Sequence, residues 1–248
     1  MLETKVKIVG ISAAHRKNRN TAYMLRVALQ AAEEMGGVET DLIELWGRKV
    51  KYCIHCDKCL VEPFKCIVKD DMQELYPVLE QADAIIFGVP VFIMGVTGIY
   101  RNFMDRLRQY VHTGGFLWKV GATITVAYGR NAGQESTLSE VHTSMRALQM
   151  ISIGGAGHGA AGCSGLPYGP KPWEDDGKVI AVKNDPYAIG GAMIVGKRVA
   201  DVAKVVKLGF KHSDFRHSKG IHEVGFKIVT RFMEQERRKE AEATDSGP

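Results

Sequence analysis

The feature of this sequence that most limits its fold is a regular alternation of short apolar runs with helical stretches. Apolar, β-branched runs predict buried strands over residues 5–11, 38–45, 83–89, 120–126 and 150–153. Apolar residues at helical spacing predict helices over residues 21–34, 70–81, 98–110 and 134–148. Strands that alternate with helices form a parallel sheet covered by helices on both faces.

Five such strands fit the flavodoxin-like fold, a doubly wound α/β architecture whose parallel sheet has the order 2-1-3-4-5. In sheets of this kind, ligands bind beyond the carboxyl ends of the strands, at the point where the strand order reverses. We therefore expect the loops after the first, third and fourth strands to carry the chemistry.

The pattern loosens after the fifth strand. The stretch 154–169 is so rich in glycine that neither a helix nor a strand is predicted there. An amphipathic helix over 196–208 is expected to complete the domain. We predict one domain, residues 1–210, which includes a cysteine loop at 52–66. Residues 211–248 form a C-terminal extension of helical character, whose charged last part is predicted to be disordered.

Four cysteines lie within a short stretch of the chain, Cys53, Cys56, Cys59 and Cys66, in the spacing C-x2-C-x2-C-x6-C. Thiolates packed this closely in sequence can reach the corners of one [4Fe–4S] cluster, and C-x2-C-x2-C is a usual mark of such clusters. Structural zinc is the alternative, although zinc sites usually pair two short C-x2–4-C units across a longer spacer. Cys163 is left over, which disfavours a disulfide scheme.

Composition excludes several classes of protein. The chain has 248 residues, 45% of them hydrophobic and 25% charged, and a net charge of +5, as in an ordinary globular domain. Its basic residues are scattered, so no nucleic-acid partner is predicted. The sequence shows neither a secretory signal nor an apolar stretch of membrane-spanning length. We expect a cytoplasmic protein without a membrane partner, in which clustered cysteines bind a metal or act in catalysis.

The loop between the first strand and the first helix predicts an anion site. It carries Ser12, Arg16, Asn18, Asn20 and Thr21, directly before a helix N-terminus that offers free N–H groups and a positive dipole end. The loop matches neither GxxxxGK[ST] nor GxGxxG, so the phosphate of a mononucleotide is the expected ligand. The alternative is a polar loop in which Asn20 or Thr21 only caps the helix.

Two further loops are suited to a flat ring. The loop after the third strand offers Phe92, Ile93 and Met94 as apolar cover for an isoalloxazine ring, although core packing explains these residues equally well. In the loop after the fourth strand, Arg130 or Asn131 is placed to hold charge or to hydrogen-bond a flavin carbonyl. The alternative there is an ordinary strand-to-helix turn.

Together these motifs resemble the iron–sulfur flavoproteins within the NADPH-dependent FMN reductase superfamily. The resemblance rests on S-x-x-x-R-x-N-x-N-T at 12–21, the cysteine motif at 53–66, P-V-F-x-x-G at 90–95 and G-R-N-A-G-Q-E at 129–135. It implies FMN, a [4Fe–4S] cluster held by the four cysteines, and a homodimer or homotetramer in which each cluster lies near the flavin of a neighbouring subunit. It also implies a ferredoxin-like electron donor and a small-molecule acceptor.

The resemblance assigns cofactor contacts residue by residue. The FMN phosphate is assigned to Ser12, Arg16, Asn18, Asn20 and Thr21; the face of the ring to Pro90, Val91, Phe92 and Ile93; and its other edge to Gly129, Arg130 and Gly133. No side-chain acid or base is identified as catalytic. Two other functions stay open: an NAD(P)H-dependent FMN or quinone reductase whose cysteines hold a structural metal, and a non-enzymatic redox carrier or sensor.

Overall fold

The computed structural model of the chain describes residues 4–61, 65–155, 157–212, 231 and 233–238. Its strands are β1 (Val6–Ser12), β2 (Val38–Glu44), β3 (Ala84–Pro90), β4 (Val120–Ala127), β5 (Ile151–Ser152) and β6 (Ala160–Cys163). Its helices are α1 (Asn20–Glu33), α2 (Met72–Gln81), α3 (Gly98–Asp105), α4 (Arg108–Thr113), α5 (Gln134–Ala147) and α6 (Pro186–His212). Short 3-10 helices cover Lys58–Leu60 and Ala181–Asn184.

The strands form a parallel sheet in the order β2-β1-β3-β4-β5, which confirms the predicted flavodoxin-like topology. The fifth position of the sheet is shared by two strands. β5 pairs with the beginning of β4, and β6 pairs with its end, from Ile124↔Ala160 to Ala127↔Cys163. At the carboxyl edge of the sheet, the strand beside β4 is therefore β6 and not β5.

β6 corrects the prediction that the glycine-rich stretch 154–169 contains no strand. Gly159, directly before the strand, and Gly162, within it, lie where no side chain fits. A Cβ on Gly159 would lie 2.3 Å from the carbonyl oxygen of Thr123, and one on Gly162 would lie 2.7 Å from Val182 and 2.8 Å from Met24. Close packing therefore requires glycine in this strand, although glycine is ordinarily unfavourable for strand formation.

Two predicted helices have different bounds. The stretch 98–110 is two helices, α3 and α4, because the chain turns at Arg106 and Leu107, where Leu107 N–H bonds the carbonyl of Met104 in a tighter turn. α6 begins well before residue 196, since its first half packs against α1 through small residues. A Cβ on Gly196 would lie 1.9 Å from the carbonyl oxygen of Ala28. The predicted extension 211–248 falls largely outside the described residues.

The sheet separates two apolar cores. Alternate residues of β1 point to opposite faces, so Val9 and Ile11 join the core under α2, α3 and α5, whereas Val6 and Ile8 join the core under α1 and α6. Burial of both faces explains why the strands read as continuous apolar runs. Within the described part of the chain, none of the helices combines the length and apolarity needed to cross a lipid bilayer.

Candidate functional site

A cavity of about 460 Å³ lies where the loops after β1, β3 and β4 meet. Its volume falls within the roughly 300–1,000 Å³ typical of small-molecule sites. Three predicted loops and one further segment form its lining, which comprises Ala14, His15, Arg16, Arg19, Asn20, Thr21, Pro90, Val91, Phe92, Val126, Ala127, Tyr128, Ser164, Pro170, Pro172, Asp175, Val179 and Ala181. The cavity thus occupies the position at which sheets of this class bind ligands.

The beginning of α1 gives one side of the cavity the character of an anion site. Arg19 is extended, and no side chain caps this end of the helix. The first helical hydrogen bond runs from Tyr23 N–H to the Arg19 carbonyl at 2.8 Å. N–H groups that precede Tyr23 have no acceptor within the helix, and they carry the positive end of its dipole. A phosphate group fits this arrangement.

Arg16 adds a mobile positive charge beside the helix terminus. Its guanidinium is about half exposed and lies 3.5 Å from the carboxylate of Asp175, which also lines the cavity. A phosphate bound here would compete with Asp175 for Arg16. The ion pair with Asp175 leaves the cation at the cavity wall, within reach of an anionic ligand.

Ser12 ends β1 beneath this loop and is completely buried. Its Oγ has no hydrogen-bond partner among the described residues. A buried hydroxyl without a partner costs about 1–3 kcal/mol. Ser12 itself does not line the cavity, although the loop that begins after it does. An acceptor at the start of that loop, such as a phosphate group, would remove that cost.

We expect Ser12→Ala to have opposite effects on stability and binding. Removal of the unpaired hydroxyl should raise the free energy of unfolding of the apoprotein, measured with urea. It should also weaken FMN binding about tenfold, since a hydrogen bond to a charged group contributes about 1.5 kcal/mol or more. The control is Thr123→Val, because Thr123 Oγ1 is likewise buried and unpaired. Neither residue lines the cavity, but Ser12 ends β1 directly before the loop that does, whereas Thr123 lies within β4. Equal FMN affinity in wild type and Ser12→Ala would contradict the assignment.

Of the other three predicted phosphate ligands, Asn18 and Asn20 have partners of their own. Asn18 has a positive φ of 54°, its N–H donates to Glu44 at 2.8 Å, and its side chain accepts from Arg26. It does not line the cavity. Asn20 lines the cavity with Thr21, but its Oδ1 accepts the N–H of Val182 at 3.1 Å. The side-chain amide of Asn20 thus joins α1 to the segment before α6.

The loop after β3 supplies an apolar wall. Pro90, Val91 and Phe92 line the cavity, and the ring of His15 stacks on Phe92 with centroids 4.9 Å apart and planes 21° apart. Ile93, predicted to lie against a ring, is instead 99% exposed. Phe92 and Gly95 exchange backbone hydrogen bonds, and this tight turn directs Ile93 outward at a positive φ of 46°.

The loop after β4 contributes different residues from those predicted. Tyr128 lines the cavity, whereas Gly129, Arg130 and Gly133 do not. Arg130 donates to the hydroxyl of Tyr168 at 2.8 Å and to the carboxylate of Asp185 at 2.9 Å. A Cβ on Gly133 would lie 2.6 Å from the backbone of Met94, so this glycine allows the loops after β3 and β4 to pack together. These residues support the cavity from outside.

The segment between β6 and α6 closes one side of the cavity, and the sequence did not identify it. It contributes Ser164, Pro170, Pro172, Asp175 and Val179. Arg130 anchors this segment through Tyr168 and Asp185. No residue type here indicates a flavin site. The one signal was the segment's place in the chain, because it follows β6, the strand that pairs with the end of β4.

The loop between β2 and α2 brings the four cysteines around a second, small cavity. Cys53, Cys56, Cys59 and Cys66 line it together with Arg108. All four are free thiols, of which Cys56 is exposed and the others are half-buried. Burial, reinforced by the neighbouring Cys66, raises the pKa of the Cys59 thiol above its ordinary value.

Four free thiols in one short loop are the kind of donor set that a [4Fe–4S] cluster takes. Among the described residues, no three histidine, cysteine, aspartate or glutamate side chains lie close enough together to hold one metal ion. Zinc needs all its sulfurs at about 2.3 Å, whereas a [4Fe–4S] cluster offers a separate iron to each of four cysteines. The cavity that the four cysteines line has a volume of about 20 Å³.

A buried ion pair closes the base of this cysteine loop. Arg106 and Asp70 have fully buried side chains and bond each other directly. Asp70 also accepts the N–H of Lys51 at 2.8 Å. Although burial opposes its ionisation, hydrogen bonds from Arg106 and Lys51 lower the pKa of the Asp70 carboxyl below its ordinary value of 3.8.

The lowered pKa predicts how stability varies with pH. Because the folded-state pKa lies below the unfolded value, ionised Asp70 stabilises the protein above pH 3.8, and this contribution is lost as pH falls through the folded-state pKa. We expect Asp70→Asn to lower the free energy of unfolding by about 3–5 kcal/mol near neutral pH, since it leaves Arg106 buried without its counter-ion. The difference in free energy of unfolding between this variant and the wild type should become smaller below pH 3.8, as measured by urea unfolding of the apoproteins. A cost independent of pH would contradict the ion-pair assignment.

Comparison with known proteins agrees with this description. The family described as NADPH-dependent FMN reductase matches residues 6–161. An iron–sulfur flavoprotein of Methanocaldococcus jannaschii is 34% identical over 202 residues, which cover 82% of this chain and 100% of that protein. An NAD(P)H dehydrogenase (quinone) of Paracoccus denitrificans is 31% identical over 146 residues, which cover 54% of this chain and 67% of that protein.

A solved structure shows the same fold. The flavodoxin, WrbA-like protein from Agrobacterium tumefaciens superposes with a TM-score of 0.54, covering 81% of this chain and 99% of that chain. The two sequences are 18% identical, so this likeness concerns the fold alone.

Proposed function

Because this chain belongs to the iron–sulfur flavoproteins of the NADPH-dependent FMN reductase family, and is an FMN-dependent oxidoreductase, we propose that it passes electrons from a one-electron donor protein, through a [4Fe–4S] cluster and FMN, to a small two-electron acceptor. The observation that carries the proposal is that one chain combines a flavin-sized cavity with four free thiols around a second cavity. When bound, the two cofactors would supply the conversion between one-electron and two-electron chemistry.

The chain's own residues would bind and orient FMN. Arg16 and the N-terminus of α1 would hold the phosphate, with Thr21 as a hydroxyl donor at the same end of the cavity. Val91 and Phe92 would cover one face of the ring and exclude water from it. His15, stacked on Phe92 at the cavity wall, would be positioned to exchange a proton with an acceptor there.

The surroundings of the cysteines favour a negatively charged donor protein. Lys51, Lys58, Lys65 and Lys69 are all exposed around this loop. Asp57, an acidic residue in the described part of this loop, is paired with Arg108 at 2.8 Å. A positive patch raises the association rate of an acidic partner through electrostatic steering. A ferredoxin-like protein is therefore the proposed donor, in a reducing compartment such as the cytoplasm, where the thiols stay available.

The rim of the flavin cavity supports the proposed homodimer or homotetramer. Large apolar side chains are exposed there and nearby: Phe92, Ile93, Met94, Tyr128, Leu166, Trp173 and Tyr187. Clustered exposed apolar residues mark surfaces that bind other proteins. Sedimentation analysis of the purified protein would measure the oligomeric state.

A second candidate function is direct reduction of a quinone or flavin by NAD(P)H. The similarity to the Paracoccus denitrificans NAD(P)H dehydrogenase (quinone) favours it. A nicotinamide could stack on the flavin without a GxGxxG loop, because hydride transfer needs only contact between the two rings. In this alternative the cysteines would bind a structural metal.

One experiment separates the two candidates. The protein is purified without oxygen and assayed for iron, inorganic sulfide and FMN, and its flavin reduction is then followed with reduced ferredoxin or with NADPH. We expect about four irons per chain, rapid reduction by ferredoxin that slows as salt rises, and slow reduction by NADPH. Absence of inorganic sulfide, together with rapid NADPH oxidation, would establish the second candidate instead.

A further inference from the structure

Arg106 is a completely buried arginine at the junction of α3 and α4, where a buried cation requires an explanation. Its two terminal nitrogens reach both ends of the cysteine loop. Nη1 donates to the carbonyl of Lys51 at 3.2 Å, and Nη2 donates to the carbonyl of Val68 at 3.0 Å. Both nitrogens also bond the carboxylate of Asp70.

These contacts close the loop at its base. Lys51 comes just before Cys53, and Val68 comes just after Cys66. One guanidinium therefore joins the chain entering the loop to the chain leaving it. Its planar fork supplies several donors in fixed directions, which a lysine cannot reproduce.

The third nitrogen of this guanidinium is not used by the clamp. Arg106 Nε is buried and has no hydrogen-bond partner among the described residues. The Cys66 thiol is a nearby polar group. Although burial opposes the charge, Asp70, Tyr76 and Cys66 together raise the pKa of Arg106 above its ordinary value. Arg106 thus holds a positive charge near a cysteine that is expected to be ionised when it binds iron.

Cys66 is the most firmly held of the four thiols. Its N–H donates to Gln109 Oε1 at 3.1 Å, and its side chain packs against the core under α2 and α3. Tyr76, whose hydroxyl donates to the carbonyl of Arg106 at 3.1 Å, lies on the same side. Cys56, at the other extreme, is exposed. The loop is therefore anchored to the protein at Cys66.

We propose that Arg106 is a positioning residue for the cluster: it closes the base of the cysteine loop, holds a positive charge near Cys66, and so raises the reduction potential of the cluster. This inference rests on the proposed function. One-electron reduction, by ferredoxin in the proposed reaction or by dithionite in the test, adds one negative charge at the cluster. Hydrogen bonds and positive charge near the sulfurs favour that reduced state.

The test compares three variants as anaerobically purified holoproteins. Arg106→Gln removes the cation and the Nε donor, so the cluster potential should become more negative. Asp70→Asn leaves Arg106 without its compensating charge, so the potential should become more positive. Arg101→Lys is the control, because Arg101 lies on α3 and pairs with Glu140, away from the cysteines. The potential is measured by dithionite titration, and bound FMN reports folding.

Opposite shifts in Arg106→Gln and Asp70→Asn, with no shift in Arg101→Lys, would support the proposal. A merely structural role of Arg106 would weaken iron retention without moving the cluster potentials of the two variants in opposite directions. Unchanged potentials, or shifts of the same sign, would therefore overturn the proposal. If Arg106→Gln does not fold, Asp70→Asn decides alone: a more positive potential supports the proposal, and any other result overturns it. A wild-type protein without iron and sulfide would overturn both this inference and the proposed function, whereas unchanged potentials in an iron-containing protein overturn this inference alone.

Discussion

Replacement of Cys56 by alanine is expected to remove the iron and inorganic sulfide while leaving FMN bound. A [4Fe–4S] cluster takes four cysteine thiolates, and the three that remain would leave one iron without its protein ligand. Iron should therefore fall from about four per chain to background. Cys56 is exposed, so the substitution should change the free energy of unfolding by less than about 0.5 kcal/mol. Iron, sulfide and flavin analysis of the anaerobically purified variant measures the result.

Cys163→Ala is the matched control for this experiment. Cys163 is also a free thiol, but it is buried at the end of β6, where its Sγ lies 2.9 Å from the carbonyl oxygen of Tyr128. It is not among the residues around the thiol cavity. We expect this variant to keep its full iron content. Retention of full iron and sulfide by Cys56→Ala would show that Cys56 is not a ligand.

The second large effect is expected from Arg16→Ala combined with Thr21→Val. Both residues line the cavity at the beginning of α1, and both changes remove a donor while leaving the helix terminus in place. A hydrogen bond to a charged group contributes about 1.5–3 kcal/mol. Loss of two should raise the Kd for FMN at least about a hundredfold, since each 1.4 kcal/mol is a factor of ten. Fluorescence titration of the apoprotein with FMN measures this change.

Two controls distinguish a phosphate site from a general loss of structure. Arg26→Ala removes an arginine of α1 that bonds Asn18 and does not line the cavity, so FMN affinity should change little. Asp175→Asn removes the carboxylate that competes for Arg16 and should tighten FMN binding. Equal FMN affinity in the double variant and the wild type would exclude the assignment of the phosphate to this loop.

Strand and helix positions followed from local patterns because those patterns depend on neighbours in sequence. The strand predicted at residues 120–126 is β4 (Val120–Ala127), and the helix predicted at residues 134–148 is α5 (Gln134–Ala147). β6 could not be predicted in this way. Its glycines satisfy contacts with Thr123, Val182 and Met24, which are distant in sequence. The break between α3 and α4 has the same kind of cause, because Arg106 bonds the far ends of another loop.

The sequence predicted what kind of site the candidate flavin site would be, but not all of the residues that line it. Arg16, Asn20 and Thr21 line the cavity as predicted from their place before a helix N-terminus. Ile93 and Arg130 do not, because a tight turn exposes the first and Asp185 with Tyr168 binds the second. Sequence position identifies which loop reaches a site, whereas the direction of a single side chain depends on the turn and on its partners.

By itself the sequence determined the flavodoxin-like order of the sheet, the edge of the sheet at which the cavity lies and the four thiols of one short loop. All three depend on residue type at short range: apolar periodicity, helix termini and cysteine spacing. Only the tertiary structure decided that the segment after β6 closes the flavin cavity and that Arg106 closes the cysteine loop. Those features join residues far apart in the chain, and a buried hydrogen bond or a close backbone approach leaves no periodic signal in the sequence.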